Sequence, residues 1–150
     1  MTNEQLDAKS EEILRHLLRN SRLSYREIAK RTGFSIGTVL NRMRELGRAG
    51  VIREYSAVLD HEKLGYELTV ITEIIVSKGK LLDVEKDISK FPGVCAVYDV
   101  TGTSDAMVIA KFRNRLELSR FTKQMLSLPF VERSNTHVVL NTVKEDFRLV

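Results

Sequence analysis

Residues 24–50, SYREIAKRTGFSIGTVLNRMRELGRAG, read as a helix, a tight turn and a second helix. Ser24-Tyr25-Arg26-Glu27 is a capping box: the Ser24 hydroxyl accepts a first-turn amide, and the Glu27 carboxylate accepts from the Ser24 amide. Ile28 and Ala29 supply a small apolar face. Gly33 follows, where a left-handed backbone is least strained and a helix can stop. Ser35 is then the N-cap of the second helix. In that helix Val39, Met43 and Leu46 fall at i, i+4 and i+7 and form one stripe facing a core.

The opposite side of the second helix carries Gly37, Thr38, Asn41, Arg44, Glu45 and Arg48, with Arg42 on the flank. A helix of this kind reads base edges with its N-terminal residues. Thr38 and Asn41 are therefore candidates for base contact together with Arg42, since Arg pairs with guanine and Asn with adenine. Arg44 and Arg48, further along, are candidates for phosphate contact, and Ser35 joins the DNA-facing set at the helix start. Gly37 weakens the helix but allows close approach. The charge distribution favours double-stranded DNA as partner over a merely solvated helix face. From Arg15 to Arg53 there are ten Lys or Arg against two acids, whereas from His61 onward there are thirteen against twelve. The excess positive charge lies in the segment that carries the motif, where phosphate neutralisation needs it.

Upstream, a helix is expected from Leu6 to Asn20, with Leu6, Ile13, Leu14, Leu17 and Leu18 on one face. It completes a three-helix, winged-type unit. Val51–Leu59, VIREYSAVL, reads as a strand linking two domains, and Asp60–Gly65 as a turn-rich hinge. Domain boundaries are expected at 1–50, 51–65 and 66–150. A chain of 150 residues with 43% hydrophobic content allows one domain or two small ones, each with a core. No apolar run reaches the roughly 18 residues of a membrane span. The stretch MTNEQLDAKSEE is polar and acidic, unlike a signal or transit peptide, and the lone Cys95 fits a reducing compartment. A cytoplasmic protein is expected.

Residues 68–143 change character. Strands are expected at Leu68–Val76, Val94–Val100, Ala106–Phe112 and within Val131–Val143, with helices at Leu81–Lys90 and Leu116–Leu126. An internal echo supports this β-α-β-β-α-β order. Lys90-Phe91-Pro92-Gly93-Val94 joins a helix to a strand, and Ser127-Leu128-Pro129-Phe130-Val131 does so again 37 residues later. Two such halves imply a ferredoxin-like sandwich, and the fold class is α+β. The first strand is apolar on both faces, so the sheet face without helices should be covered by a second subunit.

The chain as a whole resembles the Lrp/AsnC (leucine-responsive/asparagine regulator) family of prokaryotic transcription regulators over residues 6–145. The resemblance is carried by LDAKSEEILRHLLRNSR, SYREIAKRTGFS, TVLNRMRELGRAGVIREYSAVLD, KLGYE, FPGV, the GTSD turn and PFVERSNTHVVL. It implies a nucleoid-associated regulator with an N-terminal helix-turn-helix domain, a β linker and a C-terminal ferredoxin-like effector domain. It also implies homodimers that pair through their sheets and assemble to octamers or related rings. An amino acid or related small molecule is implied between dimers, held by Gly102, Thr103, Ser104 and Asp105 and by the hydroxyl of Thr136. Turn amides and hydroxyls can receive a carboxylate, and Asp105 can accept from an ammonium. Ser10, Gly47 and Ala106 depart from the family's usual residues.

Catalytic chemistry is missing from the pattern. His16, His61 and His137 have no ligand partner at i+3 or i+4, so no metal site and no cofactor is expected. Cys95 is expected to be a small core residue. Two alternatives belong to other classes. A tetrapyrrole (sirohaem-type) decarboxylase on the same architecture needs basic and His residues converging on propionates, which three dispersed histidines do not offer. RNA binding on the sheet needs exposed aromatics on its strands, and only Tyr98 and Phe112 are available.

Overall fold

The computed structural model describes residues 6–150; Met1–Gln5, part of the polar N-terminal stretch and of the expected 1–50 domain, lie outside the described residues. The chain divides into two compact units, Met1–Val58 with Glu145–Val150, and Leu59–Lys144.

The first unit is helical: α1 (Ala8–Arg19), α2 (Tyr25–Thr32) and α3 (Ile36–Arg48). Each start has a side-chain cap, because the first amides of a helix have no partner inside it. Asp7 Oδ1 accepts from the Ser10 amide at 2.9 Å. The expected capping box forms on α2, with the Ser24 amide donating to Glu27 Oε2 at 2.8 Å and the Glu27 amide to Ser24 Oγ at 3.3 Å. The Ser24 hydroxyl, donating to Glu27 Oε2 at 2.7 Å, and the Ser24 amide together hold the Glu27 carboxyl below its ordinary range. Gly33 ends α2 in the left-handed region at φ 73°. The core comprises Ile13, Leu17, Leu23, Ile28, Ala29, Val39 and Met43, with Phe34 and Ile52 packed against it.

Val51–Leu59 forms no strand, contrary to expectation, and nearly all of it is exposed. A strand exists only by pairing its amides and carbonyls with a neighbour, and no segment of the described chain pairs with this one. Apolar, β-branched composition makes the stretch fit to be a strand but cannot supply the partner.

The second unit is a four-stranded antiparallel sheet, β1 (Leu68–Val76), β2 (Val94–Asp99), β3 (Ala106–Phe112) and β4 (Val131–Val138), in the order β2-β3-β1-β4. Helices α4 (Leu81–Ile88) and α5 (Arg115–Leu126) cover one face. Val84 and Ile88 of α4 and Phe121 and Met125 of α5 pack on Val70, Ile74, Val108 and Ala110. Phe112 lies against Phe121 with ring centroids 5.1 Å apart. On the other face Ile71, Ile75, Met107 and Ile109 stay half-buried, so the apolar bare face expected from the sequence is present.

β4 falls inside the expected Val131–Val143 span and ends at Val138; the Val139 amide still donates to the Thr69 carbonyl at 2.9 Å, while Leu140 and Val143 are almost fully exposed. One further expectation needs correction. Cys95 is exposed rather than in the core. It falls where the pairing of β2 with β3 slips between Val94 and Ala96, and the extra residue of such a bulge is turned away from the regular alternation.

Glu85 on α4 is a local fault. Its Oε1 is buried without a hydrogen-bond partner among the described residues. Burial, aided by the Asp99 charge, pushes its carboxyl above the ordinary range. A carboxyl raised in this way is best tolerated protonated, so its contribution is most favourable at low pH and is lost as pH rises through its folded-state value. Glu85→Gln is therefore expected to raise the melting temperature at neutral pH. The advantage over the parent should fade as pH falls through the raised folded-state value and be gone below the unfolded carboxyl's 4.5. A gain that is the same at pH 4 and pH 7 would place its origin outside this charge.

Candidate nucleic-acid interface and effector site

The turn between α2 and α3 presents the outer face of α3 to solvent. Val39, Met43 and Leu46 are buried, as their spacing requires. At 3.6 residues per turn, Gly37, Asn41, Arg44 and Arg48 then line up on the opposite side, and all four are exposed. Arg44 and Arg48 have no carboxylate partner among the described residues. A Cβ built on Gly37 would meet nothing nearer than Ser35 Oγ at 3.8 Å. No packing inside the protein therefore demands glycine at this position.

The other sequence candidates divide. Ser35 is engaged as N-cap: its Oγ accepts from the Thr38 amide at 3.1 Å and lies 2.9 Å from Thr38 Oγ1. Thr38 is half-buried and Asn41 exposed. Arg42 is held inside the unit. One guanidinium nitrogen lies 2.7 Å from Asp7 Oδ2, the carboxylate that caps α1, and another lies 2.7 Å from Glu45 Oε2. Arg42 thus clamps α3 to the start of α1 and is already committed to two carboxylates.

In the second unit the turn Gly102–Asp105 sits where β1 and β3 meet. Asp105 stitches it down: its amide donates to the Ile74 carbonyl at 2.9 Å, and its Oδ2 accepts from the Val76 amide at 2.8 Å. Thr103 and Ser104 join Glu73, Ile75, Arg133 and Asn135 around a hollow of about 210 Å³. Ser104 Oγ donates to Glu73 Oε2 at 3.2 Å. His137 Nε2 lies 3.2 Å from Glu73 Oε1 and 3.0 Å from Asn135 Nδ2. The hollow thus offers a carboxylate, a guanidinium, an amide and two hydroxyls, a set that can meet both charges of a small zwitterion.

Thr136 is not part of this group. It pairs with Thr72, and the two hydroxyl oxygens are 3.0 Å apart. Thr72 is fully buried, so this pair lies on the helix-covered face, whereas Glu73, Asn135 and Arg133 lie on the bare one. Glu73, Arg133 and Asn135 were missed in the sequence. Arg133, Asn135 and His137 do show as a polar row at every second position, but only the pairing Glu73↔Asn135 and Ile75↔Arg133 brings that row to the turn.

Among the described residues no group of three or more His, Cys, Asp or Glu is placed to hold a metal ion, and no helix is long and apolar enough to cross a membrane. Tyr98 is half-exposed, but Phe112 is buried, so the sheet lacks the pair of exposed aromatics that base stacking would use.

Comparison with known proteins gives concordant matches. Residues 6–53 match a winged helix-turn-helix DNA-binding family and residues 69–149 the Lrp/AsnC ligand binding domain. An uncharacterized HTH-type transcriptional regulator of Pyrococcus horikoshii is 50% identical over 145 residues, covering 97% of this chain and 98% of that protein. The HTH-type transcriptional regulator FL11 of the same organism is 35% identical, covering 96% and 95%. A transcriptional regulator of Neisseria meningitidis, solved in complex with L-Met, superposes with a TM-score of 0.87 at 28% identity, covering 97% of each chain. These relatives are regulators, and they give the decarboxylase alternative no support.

Proposed function

The chain belongs to the Lrp/AsnC family of DNA-binding transcription regulators with a small-molecule effector domain, and from that premise we propose how its residues divide the work. Residues 1–50 read DNA, 51–65 link, and 66–150 bind effector and assemble copies, in a cytoplasmic, nucleoid-associated protein. Asn41 and Thr38 read bases, while Arg44 and Arg48 hold phosphates. The single observation that carries this reading is the exposed row Gly37, Asn41, Arg44 and Arg48, opposite a buried stripe on a doubly capped helix-turn-helix. Arg42 braces that helix.

The effector is an amino acid or a related zwitterion in the hollow beside Thr103 and Ser104. Arg133 meets its carboxylate and Glu73 its ammonium, with Asn135 adding an amide. Gly102 and Asp105 shape the turn. Copies pair through the bare sheet face, whose half-buried Ile71, Ile75, Met107 and Ile109 support an apolar interface. Dimers assemble further to an octamer or related ring, with the effector between them. The ligand favours one assembly and so changes the spacing of paired α3 helices.

Selection from random duplex DNA is the direct test. A pseudo-palindrome, with half-sites about one helical turn apart or a multiple of it, is expected; no enrichment at moderate salt would overturn sequence-specific reading. With that site in hand, the twenty amino acids are titrated one by one. Arg133→Ala is expected to weaken the response to any active one by about tenfold or more, as for a lost charge-assisted bond, while leaving DNA affinity without ligand unchanged. An unaltered dose-response in Arg133→Ala would remove the hollow from the effector site.

A further inference from the structure

The last six residues of the chain do not belong to the unit that precedes them. Glu145–Val150 falls with the helical unit, although it follows directly on the effector unit. The effector unit's hydrophobic core contains no residue beyond Val131. Phe147 and Leu149 instead line a hollow of about 690 Å³ with Leu14 and Leu18 of α1 and Ile52 and Val58 of the following stretch. The tail's sequence suits such a seat. Phe147 and Leu149 alternate with Asp146 and Arg148, and the two charged residues satisfy each other in a forked pair of 2.8 and 2.9 Å.

The seat is shallow. Phe147 remains 73% and Leu149 82% exposed. A contact that buries so little apolar surface is weak and can be made and broken without unfolding either unit. The chain also passes between the two units twice, once at 58–59 and again at 144–145.

We propose that residues 145–150 are a releasable strap: the chain's own C-terminal segment docks in the apolar groove of α1 and residues 51–58, giving the DNA-reading unit a second attachment to the effector unit besides the linker. Seated, the strap restrains the DNA-reading unit; released, it leaves that unit on the linker alone.

Hydrogen exchange on the full-length protein tests this without DNA or effector, so its outcome is independent of the regulatory reading above. The intact chain is compared with one ending at Lys144 and with a full-length Phe147→Ser/Leu149→Ser variant. Both altered chains are expected to exchange about two- to tenfold faster in peptides from α1 and residues 51–58, as for loss of a weak local contact. Peptides from β1, β3 and α5 should be unchanged. A Phe147→Leu/Leu149→Met variant should restore the intact pattern, because it keeps the apolar contact. Equal exchange in intact and shortened chains would overturn the strap. Protection that vanishes when the intact protein is diluted to monomer would overturn it too, by assigning the groove to a second copy's tail.

Discussion

Gly93→Ala is expected to lower the melting temperature of the effector unit by about 10–20 °C. Gly93 joins α4 to β2 with φ 84°, in the left-handed region that a side chain makes strained by about 1–2 kcal/mol. Space is the second obstacle. A Cβ at this position would lie 2.6 Å from the Lys111 carbonyl oxygen and 2.9 Å from Phe112 Cε1. Neither neighbour can easily yield. The Lys111 amide donates to the Gly93 carbonyl at 2.8 Å, which ties the two backbones together. The Phe112 ring is packed against Phe121 in the core. Overpacking of this kind adds roughly 1–3 kcal/mol. The two effects together give about 2–5 kcal/mol, hence the stated shift for a unit of this size. The matching joint in the second half of the unit serves as a control. Phe130 occupies it at φ 78° and is half-exposed, so Phe130→Gly is expected to be neutral or stabilising. A Gly93→Ala melting temperature within about 3 °C of the parent would show that the β2–β3 contact opens at little cost.

Arg44→Ala combined with Arg48→Ala is expected to flatten the salt dependence of DNA binding. Each phosphate contact releases condensed counterions worth about 0.9 in the slope of log affinity against log salt, so the pair should remove about 1.8. The loss should be uniform across DNA sequences, because phosphates carry no base identity. Asn41→Ala should behave in the opposite way, weakening the best site by about 1–3 kcal/mol at one base position and leaving the slope nearly unchanged. Both arginines are exposed and have no carboxylate partner among the described residues, so their removal disturbs no internal contact. Arg42→Ala is not an equivalent test: it releases Asp7 and Glu45 and loosens α1 against α3. An unchanged slope in the double variant would end the phosphate assignment.

Legibility in the sequence followed the range of the interaction. The capping box at Ser24 and Glu27, the stop at Gly33 and the buried stripe Val39, Met43 and Leu46 depend on residues three to seven apart, and all form as read. The two helix-to-strand joints were visible as an echo, although their left-handed backbone at both Gly93 and Phe130 was not. Arg42 illustrates the limit. Its place on the flank of α3 followed from helical spacing, but its bond to Asp7 depends on how α1 lies against α3.

The helix-turn-helix, its charge and exposed row, the α+β order of the effector unit and the two-faced apolar β1 were all readable from the chain, because propensity, capping and periodicity are local properties. Which side chains meet depended instead on long-range packing and strand pairing. Pairing β1 with β4 across more than sixty residues puts Glu73 opposite Asn135 and Thr72 opposite Thr136. A shift of that register by one residue would exchange the two faces. That register separates Thr136 from the Thr103–Ser104 turn and gathers Glu73, Arg133 and Asn135 beside it. The same holds for Val51–Leu59, whose strand character was plain but whose pairing depends on a partner outside its own sequence.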